Sequence, residues 1–137
     1  MGIQIKVLII TALSLSYIHA TTLETVQNQA LEVWSFVDLI RASTIATEDQ
    51  SPFLRETLHR TLTLYKLTQE YIEKHYRNPI PEDVRNELYD LITMVGKSIF
   101  AVFKTNKAHE AIAIKVIMAF ILDSLITPYE IDCPLGT

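Results

Sequence analysis

Cysteine and glycine are almost missing from this chain, which has one cysteine and three glycines among 137 residues. A single cysteine, Cys133, excludes an intrachain disulfide, although small extracellular domains often depend on such bridges. We therefore expect the domain to be held together by the packing of helices.

Motifs for catalysis and metal binding are missing as well: there is no HExxH, GxSxG, P-loop or paired-carboxylate signature. Glu56 and His59 match the Glu-x-x-His element, which di-iron bundles use twice. The second copy is missing here, because His75 and His109 have no glutamate three residues before them. We expect Glu56 to pair with Arg60 on the surface instead. The sequence predicts no enzyme, no metal and no cofactor.

An excess of positive charge is also absent, since 12 lysines and arginines face 16 aspartates and glutamates, for a formal net charge of −4. Mild acidity argues against nucleic acid as a partner and favours a soluble protein.

The first twenty residues have the layout of a secretory signal peptide. Lys6 precedes an apolar run from Val7 to Leu15, and Ala20 ends the segment. An uncleaved anchor is the alternative, but the run is shorter than the roughly 20 residues that span a bilayer. We predict cleavage after Ala20 and secretion, with residues 1–20 removed, a helical domain over residues 21–127 and a C-terminal tail over residues 128–137.

Prolines fall in three places after the signal peptide and divide the chain into segments with helical spacing of apolar residues: Pro52, the Pro79/Pro81 pair, and Pro128 with Pro134. A further break at the polar stretch KTNK (residues 104–107) separates the third segment from the fourth. This pattern predicts an all-α fold, an antiparallel bundle of four main helices. The first three helices are expected near residues 23–46, 53–76 and 82–104, and the fourth is expected to end at Pro128.

Each of the first three segments has an apolar stripe that is expected to face the core. In the first segment the stripe is Val26, Ala30, Val33, Val37 and Ile40. In the second it is Leu54, Leu58, Leu62, Tyr65 and Ile72, broadened by Leu67 and Tyr71. In the third it is Val84, Leu88, Leu91, Val95, Ile99 and Val102. Gly96, beside the third stripe, indicates that another helix approaches closely at this point.

The fourth segment contains the stretch AIAIKVIMAFILDSLI, residues 111–126. It could be a membrane span, a core helix or the wall of a ligand cavity. As a helix it would be about 24 Å long, which is short of the roughly 30 Å hydrocarbon core of a bilayer. We therefore predict no membrane insertion and place this nearly all-apolar helix at the centre of the bundle.

Two surface features are candidate sites. Lys97, Lys104, Lys107 and Lys115 form a basic run with Glu110 as its only counter-charge. The first three of these lysines could bind an acidic protein surface or a sulfated glycan, although an ordinary solvated face is the alternative. Cys133 could be a buried thiol, a mixed disulfide or the bridge of a covalent homodimer.

Several stretches add a resemblance to a known family: Trp34 and Arg41, LYKLTQEYI (residues 64–72), IPEDVRNEL (80–88) and DLITMVG (90–96). With the helical layout, they make the chain similar to the salivary proteins of anopheline mosquitoes that inhibit the alternative complement pathway (albicin-like). The resemblance implies a helical antagonist that binds the C3 convertase in a blood meal and acts by occupying surface. It assigns no functional residue by position, and Cys133 has no match in it.

Three functions follow as hypotheses. The first is a secreted protein that binds a host plasma or complement protein. The second is a carrier of lipid or another apolar ligand between the helices, lined by Phe100, Phe103 and Phe120, which would need a cavity of roughly 300 Å³ or more. The third is a helical cytokine-like signal.

Overall fold

The computed structural model describes residues 21–43 and 50–135, with side chains as far as Ile126. This part of the chain forms four helices and no strand: α1 (Leu23–Ala42), α2 (Ser51–Lys74), α3 (Glu82–Phe103) and α4 (His109–Leu135). The predicted all-α antiparallel four-helix bundle is confirmed. Residues 1–20 lie outside the described part, so the signal peptide and secretion stay predictions.

The four helices occupy the corners of a square. α1 packs against α2 and α3, and α4 packs against the same two helices, while the two diagonal pairs barely touch. Every helix therefore has an inner face toward two neighbours and an outer face toward solvent.

Helix α1 follows its predicted stripe. Val26, Ala30, Val33, Val37 and Ile40 are all buried. The helix begins where the Thr22 hydroxyl accepts a hydrogen bond from the Thr25 backbone N–H at 3.3 Å, a typical N-cap. It ends at Ala42, and the Ser43 hydroxyl donates back to the Ile40 carbonyl at 2.8 Å.

The stripe predicted for α2 was wrong in part. Leu62 is 46% exposed and Tyr65 faces solvent, whereas Leu58 and Ile72 pack only at the edge of the core. Leu54 and Tyr71 are buried as predicted, and the other buried positions of α2 are Thr57, Thr61, Leu64 and Thr68.

Hydrogen bonds within the helix explain why threonines can occupy this core. The hydroxyls of Thr57, Thr61 and Thr68 each donate to the carbonyl four residues earlier, over 2.7–2.8 Å. Each hydroxyl is therefore satisfied locally, and the methyl group is left to pack against the neighbouring helices.

Helix α3 buries Leu88, Ile92, Val95, Ile99, Val102 and Phe103. Gly96 is buried beside them, but the expected close approach of another backbone is not found there. A β-carbon added to Gly96 would have the Cε of Met118 as its nearest neighbour, 3.8 Å away. That is an ordinary van der Waals distance to a flexible side chain from α4.

Helix α4 was predicted to lie at the centre of the bundle, but it occupies a corner, and only one of its faces is buried. Its inner face buries Ala111, Ile114, Met118, Ile121 and Leu125. Its outer face carries Ile112, Val116 and Phe120, which are 50%, 45% and 57% exposed. The corner position explains the difference, because α2 and α3 together cover only the side of α4 that faces inward.

The C-terminal end differs from the expected tail. The α4 backbone continues through Pro128 as far as Leu135. Proline lacks an N–H, so Pro128 costs the helix one intrahelical hydrogen bond. No helix among the described residues is both long and apolar enough to cross a bilayer.

A buried polar relay fixes the end of the bundle where α2, α3 and α4 meet. The Gln50 side-chain amide donates to the Val102 carbonyl at 3.0 Å and accepts from the Asn106 side chain at 2.8 Å. Asn106 in turn accepts from the Ala108 backbone N–H at 3.0 Å. These bonds set the turn between α3 and α4, and with it the place of the nearby lysines.

Candidate functional site

The three lysines predicted to bind a partner are all exposed and lie toward the same end of the bundle. Lys97 and Lys104 are two turns apart on the outer side of α3, and Lys107 lies in the turn that the Gln50–Asn106 relay holds. Among the described residues none of the three forms an ion pair. Their positive charges are therefore available to an acidic partner, and the role predicted for them remains a prediction.

Phe100 lies on α3 between Lys97 and Lys104 and is 50% exposed. The Lys115 ammonium group of α4 is 5.9 Å from the centre of its ring, at the outer limit of a cation–π contact. Lys115 thus joins α3 to α4 at the surface. Aromatic side chains are enriched at protein-binding surfaces, and the rim of such surfaces is polar.

The outer face of α4 presents a row of apolar side chains that we call the α4 stripe: Ile112, Val116 and Phe120. They are four residues apart, so they line up along one side of the helix, opposite its buried face. Isolated apolar side chains are common on protein surfaces, whereas larger contiguous apolar patches often mark contact surfaces, which makes the α4 stripe a candidate for one. The sequence could not reveal this row, because apolar residues occur on every side of the helix and do not indicate which side faces solvent.

The three phenylalanines expected to line a ligand cavity do not converge. Phe103 is fully buried in the core, whereas Phe100 and Phe120 face solvent on α3 and α4. The structure does contain a groove of about 370 Å³, formed by α1 residues with Leu67 of α2. Its lining is mostly polar: Thr22, Glu24, Thr25, Asn28, Gln29, Glu32 and Leu67. A groove of this chemistry suits an apolar ligand poorly.

Arg60 of α2 links α1 and α2 through an ion pair and a cation–π contact. Its guanidinium group bonds Glu32 of α1 at 3.0 Å and Glu56 of its own helix at 2.8 Å, and lies 4.6 Å from the centre of the Phe36 ring. The expected Glu56–Arg60 pair is confirmed. Glu56 is thus engaged in a structural contact, and His59 is exposed. Within the described residues no three His, Cys, Asp or Glu side chains are grouped so as to hold a metal ion.

Cys133 falls within the range of α4, but the side chains after Ile126 lie outside the described residues. The intermolecular disulfide therefore stays a prediction.

No protein-family model, curated protein or solved structure matches this chain. What the structure establishes is the all-α four-helix bundle, and any relation to the mosquito salivary inhibitors stays a prediction.

Proposed function

We propose that this chain is a secreted binding protein that blocks a host plasma defence pathway, and that its target is the C3 convertase of the alternative complement pathway. It would act by covering a surface of the target, without catalysis. The single observation that supports this proposal best is the α4 stripe, an apolar row that the bundle itself leaves uncovered.

The stripe has the composition of a contact surface. Exposed valine, isoleucine and phenylalanine gain free energy when a partner removes them from water, at about 25 cal/mol per Å² of apolar surface. Lys115 lies beside the stripe and Lys107 near its start, so the apolar row has cations at its border. A protein partner with an apolar patch rimmed by carboxylates would complement both features.

A pair of substitutions tests whether this face binds. We expect Val116→Gln combined with Phe120→Gln to weaken binding to the assembled C3 convertase at least tenfold, because two central apolar contacts are lost. The matched control is Leu39→Gln, since Leu39 is an isolated apolar residue on α1 that is 73% exposed. Binding is measured by surface plasmon resonance, beside a haemolysis assay of the alternative pathway.

The results separate the possible failures. If wild-type protein at micromolar concentration neither binds the convertase nor prevents lysis, the complement target is wrong. If it binds and the double variant binds equally well, the target stands and the α4 stripe is not the site. A fluorescent fatty acid serves as a further arm: saturable binding of that probe by wild-type protein would favour the carrier hypothesis instead.

A further inference from the structure

A second surface, on α3, has an ordered pattern of charge. Seven residues at alternating spacings of four and three form what we call the α3 ridge: Asp83, Glu87, Asp90, Met94, Lys97, Ala101 and Lys104. All seven are exposed. Since the buried residues of α3, such as Ile92 and Ile99, lie on the opposite side of the helix, the ridge is the outermost line of this corner of the bundle.

The charges on the ridge are separated by sign. Three acidic residues occupy its first half, two lysines occupy its second half, and Met94, which is 40% exposed, lies at the middle. The helix dipole favours acids in the first turn and cations in the last turn, but this effect falls off within those turns. Asp90 and Lys97 lie well inside the helix, and neither forms an ion pair among the described residues. The dipole therefore does not account for the central part of the pattern.

We propose that the α3 ridge is the contact surface for a second copy of this chain, which packs against it in the antiparallel direction about a two-fold axis near Met94. In this arrangement Asp90 faces Lys97 of the second copy, Asp83 faces Lys104, and Met94 meets Met94. The two-fold axis repeats each charge pair on the other side of the centre.

The pattern selects both the partner and the direction. Packing the two helices in parallel would place each acid against the same acid and each lysine against the same lysine, which is unfavourable. The antiparallel register opposes unlike charges at both levels and brings the apolar Met94 side chains together. The spacing of four and three is also the one that lets a straight ridge follow a neighbouring helix at a small crossing angle.

The dimer is expected to be weak. Each copy contributes a single helix of 22 residues, about 33 Å long. Such a contact lies at the small end of specific interfaces, and exposed ion pairs add little, so we expect a dissociation constant on the order of tens of micromolar that rises with salt. Pairing assigns Lys97 and Lys104 to contact between copies. It leaves the α4 stripe, on a different helix, uncovered, and it does not depend on the proposed function.

Charge reversal across the axis provides a sharp test. Lys97→Asp alone creates two acidic pairs in the dimer, and Asp90→Lys alone creates two basic pairs, so each variant should remain monomeric. In a mixed dimer of the two variants both central pairs oppose an acid to a lysine, so an equimolar mixture should form a heterodimer. The double variant carrying both changes should dimerise with itself. All proteins carry Cys133→Ser, which removes any covalent dimer.

Sedimentation equilibrium at roughly 50 mM salt and concentrations up to about 500 µM measures the association. We expect each single variant to associate at least tenfold more weakly than the Cys133→Ser parent, the double variant to lie within about threefold of that parent, and the mixture to associate more strongly than either single variant. Lys66→Asp, an equal charge change at an exposed position of α2, is the control and should leave association unchanged. Circular dichroism verifies that each variant is folded.

Three outcomes would overturn the proposal: a parent protein that stays monomeric at the highest concentration, single variants that dimerise as the parent does, or a double variant that fails to recover association.

Discussion

Helices α2 and α4 pack against each other, yet they divide polar and apolar residues in opposite ways. α2 places three threonines in the core, while α4 leaves isoleucine, valine and phenylalanine in water. The threonines are stable inside because each hydroxyl is bonded to its own helix. The apolar residues of α4 stay outside because the bundle has no fifth helix to cover them within the described residues. Whether a side chain is buried thus depends on whether its hydrogen bonds are satisfied and on how many helices surround it. Its polarity alone is a poor guide to its burial.

The largest effect is expected from two isoleucines of α4 that are two residues apart. Ile114 is fully buried, so Ile114→Ala should lower the free energy of unfolding by about 2–5 kcal/mol through lost burial and the cavity left behind. Ile112 lies on the outer face, so Ile112→Ala should change the free energy by no more than about 0.5 kcal/mol. Urea denaturation followed by circular dichroism measures both. Equal losses would show that both faces of α4 are covered.

A smaller effect on stability is expected at Thr61, where two substitutions distinguish the contribution of the buried methyl group from that of the hydroxyl. Thr61→Ser keeps the hydroxyl and removes a buried methyl, which should cost about 1 kcal/mol. Thr61→Val keeps the shape and removes only a hydrogen bond to a carbonyl of its own helix, so stability should change by no more than about 0.5 kcal/mol. The same denaturation experiment compares them. A larger loss for valine than for serine would mean that the hydroxyl, and not the methyl, holds this part of the core.

The smallest expected effect is a gain at the contact between α3 and α4. Gly96→Ala places a β-carbon at an ordinary distance from Met118 and removes the helix penalty of glycine, so the protein should become more stable by about 0.5–1 kcal/mol. A rise in the urea midpoint with an unchanged slope is the expected result. A loss of stability would show that α4 approaches α3 more closely than the structure has it.

The same contrasts explain how far the sequence predicts the fold. The breaks before α2 and α3 follow from proline positions, the break before α4 follows from the polar residues 104–107, and the core of α1 follows from five apolar residues at helical spacing. The core of α2 does not follow, because threonine counts as polar until its bond to the preceding turn is known. Which side of α4 faces the core does not follow either, because an apolar residue at nearly every position gives no preferred side.

The candidate sites were predictable to a similar degree. Lys97 and Lys104 could be placed on one face from their spacing of seven residues, and both are exposed. The acidic half of the α3 ridge could be recognised only when the buried side of α3 was known, since that fixed which line of residues points outward. The α4 stripe required the arrangement of neighbours, which no local pattern contains.

Carbene footprinting with mass spectrometry tests the central claim most directly, namely that the outer face of α4 is open in the free protein and is closed by the host target. In the free protein we expect strong labelling of Phe120 and very little of Phe103. On addition of the assembled C3 convertase we expect Phe120 to become protected while Leu39 stays labelled. Protection of Phe120 in the free protein, or labelling that the convertase leaves unchanged, would contradict this claim.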